Sequence, residues 1–241
     1  MIVMKKKIGI SYSEANFQNY WNWFTPAELG ADIELVELSF LKNNREDIKK
    51  CDGFVLTGGI DVLPAIYGGA EEYPYMPERF LPERDEFERL IYNYSQEAKI
   101  PVLGICRGMQ YINIMEGGKV FEDNGEKLHK LHKKESEDKI HEVIVNTHSL
   151  LYAITGEKRG QVNSAHHQAV NPNALGENLM VSVYADTPNP IIEGLEFKDK
   201  TGKAFMIAVQ WHPERMKEKE QNPLSQKIKE QFIKEVKNHK R

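Results

Sequence analysis

The stretch Gly104-Ile105-Cys106-Arg107-Gly108-Met109-Gln110 constrains the fold more than any other part of the chain. It sets a cysteine between two glycines directly after the apolar run Ile100-Pro101-Val102-Leu103. A Gly-x-nucleophile-x-Gly turn takes a chain from a buried strand into a helix so abruptly that its central residue is strained and needs small neighbours on both sides. The pattern predicts a strand, an elbow and a helix, with Cys106 raised over the edge of a sheet. The first turn of that helix would present unpaired N–H groups and a partial positive charge to the sulfur. Such a setting suits a nucleophilic thiol better than a structural one.

A thiolate nucleophile needs a base to take and return its proton, and the base needs an orienting acid. Residues 204–214 supply both: Ala204 to Val209 reads as a buried strand running into Gln210-Trp211-His212-Pro213-Glu214. Pro213 biases the residue before it towards extended geometry. If that geometry continues, His212 and Glu214 project to one side, because side chains alternate along a strand. Cys106, His212 and Glu214 are the predicted catalytic residues.

Short apolar runs alternate with amphipathic ones: Lys6 to Ser11, Ile33 to Leu38, a polar stretch to Lys50, Gly53 to Thr57, Asp85 to Ala98, then Val102 to Ile105. This is the rhythm of a parallel sheet with crossover helices. Phe87, Leu90, Ile91 and Tyr94 give Asp85–Ala98 one apolar face at helical spacing. Ile140 to Asn146, Leu179 to Tyr184 and Ile191 to Leu195 alternate more strictly and predict a small antiparallel extension. Pro223 to Val236 reads as a closing helix with Asn222 as its cap and Pro223 at its first position. Phe54 to Thr57 ends in Gly58-Gly59, and ligands of open α/β sheets collect at the carboxyl ends of strands. The fold class is therefore α/β. No repeat, linker or low-complexity segment divides residues 1–241, which are expected to form one domain.

Composition closes several other routes. A net charge of −4 with dispersed lysines and arginines leaves no basic stripe for nucleic acid. Lys5 to Lys7 precede an apolar run too short for a signal peptide, and no stretch approaches the ~20 apolar residues of a membrane span. Cys51 and Cys106 could make one disulfide, but a nucleophilic thiol cannot be tied up, so a reducing, cytoplasmic setting is expected. The His129-x-x-His132 spacing could chelate zinc. No cysteine lies nearby, however, and lysines at 127, 130, 133 and 134 surround the pair, so no metal and no cofactor are expected. The segment 122–139 reads instead as a charged loop near the mouth of the site, and Lys237 to Arg241 as a frayed, solvated tail. Nothing decides whether the chain forms a homo-oligomer.

The motifs together resemble the class I glutamine amidotransferase-like superfamily, with its Cys-His-Glu triad. More narrowly, the chain is similar to free-standing gamma-glutamyl-gamma-aminobutyrate hydrolases. The narrower likeness rests on Gly58-Gly59-Ile60-Asp61-Val62-Leu63-Pro64 with Tyr67-Gly68, on Arg84-Asp85, and on Gly104 to Gln110 with Asn113 and Gly117-Gly118. It rests also on Val162-Asn163-Ser164-Ala165-His166-His167-Gln168 and on Gln210 to Glu214. The resemblance implies a flavodoxin-like fold with a mostly parallel central sheet flanked by helices, and a small-molecule γ-glutamyl substrate cleaved through a thioester. It assigns the oxyanion hole to the backbone N–H groups of Gly59 and Arg107. Gly58, Gln110, His166 and His167 fall to the substrate side, with at most one of the two histidines facing the ligand. Arg84 and Asp85 match a family pair, although an ion pair at a helix start explains them equally well. The runner-up reading is the glutaminase component of an amidotransferase, delivering ammonia to a separate synthase partner; a third is a non-catalytic binding protein. Two departures bear on the leaving amine. Asp186-Thr187-Pro188-Asn189-Pro190-Ile191-Ile192-Glu193 replaces a usual Asp-Gly turn, and Glu116 stands where a small or apolar residue is common.

Overall fold

Near-continuous apolar runs let the short central strands bury both faces, which is what a parallel sheet sandwiched between helices requires. In the computed structural model, which describes residues 5–133 and 136–240, the strands are β1 (Lys6–Ser11), β2 (Ile33–Leu38), β3 (Gly53–Leu56), β4 (Val102–Ile105), β5 (Val120–Phe121), β6 (Lys139–Val145), β7 (Arg159–Ser164), β8 (Ala169–Val170), β9 (Leu179–Ala185), β10 (Ile192–Phe197) and β11 (Met206–Val209). The helices are α1 (Phe17–Trp23), α2 (Pro26–Leu29), α3 (Arg45–Ile48), α4 (Pro82–Glu97), α5 (Arg107–Met115), α6 (Glu126–His132), α7 (Leu150–Thr155) and α8 (Pro223–Asn238).

Nine strands form one sheet in the order β2-β1-β3-β4-β11-β10-β9-β6-β7. The run from β2 to β11 is parallel, and β10, β9, β6 and β7 continue it antiparallel. The fold is thus the expected α/β class, but the antiparallel wing is larger than predicted, because Arg159–Ser164, assigned to no strand from the sequence, is its edge strand. Val55, Leu103 and Ile207 pack on one face with Ile228 and Phe232 of α8, while Phe54, Leu56 and Val102 pack on the other with Phe87 and Ile91 of α4 and Met109 and Ile112 of α5.

Helix α4 begins at Pro82, three residues earlier than the apolar pattern shows, with the proline at its first position. Asn222 caps α8 as expected, its side chain accepting from Leu224 N–H at 2.9 Å. Two readings are corrected. Residues 122–139 are not simply a loop: α6 lies within them and buries His132 completely, although residues 134–135 fall outside the described ones. Lys237 to His239 are also tied down, with α8 running to Asn238 and the Lys6 ammonium donating to His239 O at 2.6 Å, while Arg241 falls outside the described residues. Among the described residues no helix is long and apolar enough to cross a membrane.

Candidate active site

Register places the site. Ile105 pairs with Val209 and Gly104 with Leu56, so β3, β4 and β11 end side by side and their following loops meet. Cys106, immediately after β4, has φ 53° and ψ −106°, a conformation that costs a non-glycine residue about 1–3 kcal/mol. Both flanking glycines are required by close approach. A Cβ at Gly108 would run into Leu56 O, and one at Gly104 would stand 2.7 Å from Ile112 Cδ1. Without them α5 could not pack against its own strand. Cys106 N–H donates to Val209 O at 2.8 Å, and Gln210 Nε2 lies 3.5 Å from the thiol sulfur.

His212 arrives from β11, but not by the predicted alternation. Pro213–Arg215 is a single 3₁₀ turn, and the turn, not an extended chain, brings Glu214 Oε1 to 2.8 Å from His212 Nδ1. The backbone N–H of His212 donates to Asn163 Oδ1 at 3.1 Å, and the Tyr20 hydroxyl is 3.4 Å from Nδ1. Burial pushes the imidazole towards its neutral form, but the Glu214 carboxylate and the Cys106 sulfur outweigh it and raise its pKa to about 9. Nδ1 is held by Glu214, and the other nitrogen is left for Cys106.

Gly58 and Gly59 enter from β3. A Cβ at Gly58 would lie 2.9 Å from His212 Cε1 and 3.4 Å from Cys106 Cβ, so the absent side chain is what admits anything to the thiol. Its own polar groups are occupied: the N–H donates to the Tyr20 hydroxyl at 3.0 Å, and the carbonyl accepts from Arg84 Nη2 at 3.0 Å. Gly59 has φ 139°, and its N–H and that of Arg107 engage no hydrogen bond among the described residues. A Cβ at Gly59 would collide with the Arg84 guanidinium and approach Ser13 Oγ to 2.8 Å.

Beneath this loop lies a buried charge network that sequence reasoning missed. Arg84 holds Thr57 O, Thr57 Oγ1 and Gly58 O through Nη2, at 3.1, 3.1 and 3.0 Å, and donates from Nε to Glu88 at 3.0 Å. The Arg107 guanidinium pairs with Asp85 and Glu88. Arg84 and Asp85 thus do not pair with each other, as the sequence suggested, but with Glu88 and Arg107. The Arg84–Glu88 spacing of four on one helix was a usable signal; the long-range partners of Arg107 left none.

The predicted substrate-side residues separate. Gln110 is buried and donates to Gln210 Oε1 at 3.1 Å and to Gln168 O at 3.2 Å. His167 is half-buried, 3.2 Å from Asp61 Oδ1 and stacked on Tyr73, and Asp61 raises its pKa against the opposing effect of burial. It therefore faces the loop that follows β3. His166 is 4% exposed and turns away, into a cluster with His132, His141 and Glu193. His129 does not join His132 but pairs with Asp123 at 2.9 Å. Both oxygens of Glu116 are taken, by Tyr92 at 2.6 Å and Asn178 at 2.7 Å, which gives that departure a structural reason.

Against known proteins, the profile of the Peptidase C26 family matches residues 34–214. A glutamine amidotransferase-like protein of Lactococcus lactis, YvdE, is 30% identical over 209 residues, covering 85% of this chain and 81% of the relative. The gamma-glutamyl-gamma-aminobutyrate hydrolase PuuD of Escherichia coli K12 is 30% identical over 177 residues, 69% of this chain and 65% of its own. Among solved structures, the glutaminase domain of the Trypanosoma brucei CTPS with bound acivicin superposes with a TM-score of 0.68 at 15% identity, over 98% of this chain and 96% of that one. That likeness speaks for the fold.

Proposed function

The chain belongs to the Peptidase C26 family, and from that premise we propose that it cleaves the γ-glutamyl amide bond of a γ-glutamyl amine, releasing glutamate and the amine. The observation that carries this reading is the strained Cys106, set beside an imidazole that Glu214 orients at 2.8 Å. The Cys106 sulfur attacks the γ-carbonyl carbon, and the carbonyl oxygen becomes an oxyanion held by the N–H groups of Gly59 and Arg107. As the C–N bond breaks, the His212 proton passes to the departing nitrogen and a γ-glutamyl thioester remains. Water then attacks the thioester, its proton goes to the now neutral His212, and the C–S bond breaks to give glutamate and restore the thiolate–imidazolium pair. Glu214 keeps the ring in one orientation throughout.

Gln110 lies beside the sulfur, its side-chain NH2 held inside the protein, bridging Gln210 and Gln168, so it shapes the floor there. His167, held by Asp61 next to the Gly58-Gly59 turn, is the better placed of the two histidines to meet a substrate carboxylate. The PuuD hydrolase supplies the substrate class by name.

The test is amine and glutamate release by the purified chain alone, offered γ-glutamyl-γ-aminobutyrate, other γ-glutamyl amines and L-glutamine. Turnover of an amine well above glutamine, lost by at least about a thousandfold in Cys106→Ser, is the expected result. Silence on every amine with slow glutamine hydrolysis would replace it with a glutaminase that serves a separate synthase.

A further inference from the structure

Three imidazoles and one carboxylate meet in the antiparallel wing, outside the Cys106 machinery. Glu193 of β10 is fully buried, and its Oε1 lies 3.5 Å from His132 Nδ1, 3.5 Å from His141 Nε2 and 3.6 Å from His166 Nε2. These residues come from α6, from β6, from the segment after β7 and from β10, so the fold assembles them from four places. Both Glu193 oxygens and the Nε2 atoms of all three histidines are shut from solvent with no hydrogen-bond partner. Orphaned buried polar atoms are rare, because each gives up its hydrogen bonds to water with nothing in exchange, and a charged group loses most. Five of them in one buried cluster call for an occupant.

The remaining hydrogen bonds say which kind. His141 Nδ1 lies 3.0 Å from Glu142 O, and His166 Nδ1 lies 2.8 Å from Gln168 O. A carbonyl only accepts, so both Nδ1 atoms carry a proton and both rings turn Nε2 towards Glu193. Ser164 Oγ donates to His132 O at 3.1 Å and so accepts from His132 Nδ1 at 3.2 Å, which places a proton on that Nδ1 too. Histidines that bind metal are fixed in this way, the second ring nitrogen donating to a carbonyl or another oxygen. Buried nitrogens of three imidazoles and a carboxylate meet here, and a single water molecule could not satisfy all of them.

From this geometry we infer that His132, His141, His166 and Glu193 bind one divalent transition-metal ion, with zinc the ion the set suits best. The ligand atoms of His132, His141 and Glu193 lie within 4.8 Å of one another; His166 is not in that set, although its Nε2 is 3.6 Å from Glu193 Oε1, and would have to move in as the fourth ligand. Donors about 2.0–2.1 Å from a tetrahedral zinc sit about 3.3–3.4 Å apart, so small side-chain shifts close the shell. Imidazole nitrogens favour zinc, copper, iron or nickel over the oxygen-seeking calcium and magnesium. With all four positions filled by protein, the centre is structural. It would staple α6 and the His166–Gln168 segment to the wing. From there Gln168 O leads to Gln110, and Glu193 O accepts from Gln210 N at 2.9 Å, beside the thiol.

The experiment is metal analysis of the untagged, full-length chain, before and after dialysis against a chelator and after reloading with zinc or cobalt alone. One equivalent of metal per chain is expected, with a fall below about a tenth of an equivalent in Glu193→Gln and in His141→Ala. Zinc at a hundredfold excess over its dissociation constant should raise the Tm of the stripped protein by at least about 5 °C. Should those variants fail to fold, the cobalt-loaded wild type decides alone, through the intense visible bands of a four-coordinate ion. Stripped wild-type protein that binds no zinc or cobalt and keeps its Tm would overturn the inference and leave a shared proton to hold the cluster. Hydrolysis of γ-glutamyl amines is a separate readout, so either conclusion can fail without the other.

Discussion

At Glu214 a single carboxylate sets the charge of the base. It supplies the largest upward push on His212, against the downward effect of burial. Glu214→Gln keeps the shape but removes that charge, so the imidazole pKa falls from about 9 towards the ordinary value. The high-pH limb of kcat/KM should move down with it, and kcat should drop by roughly a hundredfold to ten-thousandfold, as for orienting acids in other triads. A pH–rate profile that loses height without moving its limb would show that Glu214 only packs. Gly59 offers a second probe at this scale. Alanine at φ 139° is strained, and the Arg84 it would strike cannot step aside, because its own donors are fixed on Thr57, Gly58 and Glu88. Gly59→Ala should cost about 2.7–4 kcal/mol of transition-state stabilisation if its N–H is an oxyanion donor. That loss reads as kcat falling about a hundredfold to a thousandfold with KM little changed. Loss confined to KM would place Gly59 in substrate binding instead.

Between elements, legibility followed the range of the signal. The elbow, the strands of the parallel half and α8 were readable because a glycine spacing, an apolar run or a cap acts within a few residues. The His212–Glu214 contact was anticipated for the wrong reason: Pro213 starts a 3₁₀ turn, where alternation does not apply. Strand β7 and helix α6 were missed because their sequences are polar, and they are held by what they meet, Asn163 by His212 N–H and His132 by Glu193 and Ser164. The α4–α5 joint was equally invisible, since Arg107 finds Asp85 and Glu88 across about twenty residues. Its energetic weight is testable. Arg107→Met leaves the Asp85 carboxylate buried without its guanidinium and Glu88 with Arg84 alone, a change that costs about 3–5 kcal/mol when one partner of a buried pair is removed. Urea unfolding should show that loss in the midpoint with an unchanged slope. A loss under about 1 kcal/mol would mean that water reaches the network.

Across the whole molecule, one nine-stranded sheet brings residues 58, 106 and 212 together after its central strands, and Tyr20 of α1 and Asn163 of the edge strand β7 reach them from either side. The state of the site should therefore be felt in global stability, and pH is the means of seeing it. In the folded protein the His212 pKa is about 9, above the ordinary ~6.5 of the unfolded chain. Between those values the native state holds a proton that the unfolded state has lost, so stability falls as pH rises. The contribution is complete below about pH 6.5 and gone above about pH 9. Replacing His212 by glutamine deletes this term and leaves the other titrating groups in place. The Tm of the wild type should decline across that window more steeply than that of His212→Gln, with the two curves approaching each other at the alkaline end. Parallel curves would mean that the imidazole is neutral in the resting protein, and catalysis would then have to begin with proton transfer from Cys106 rather than from a preformed ion pair.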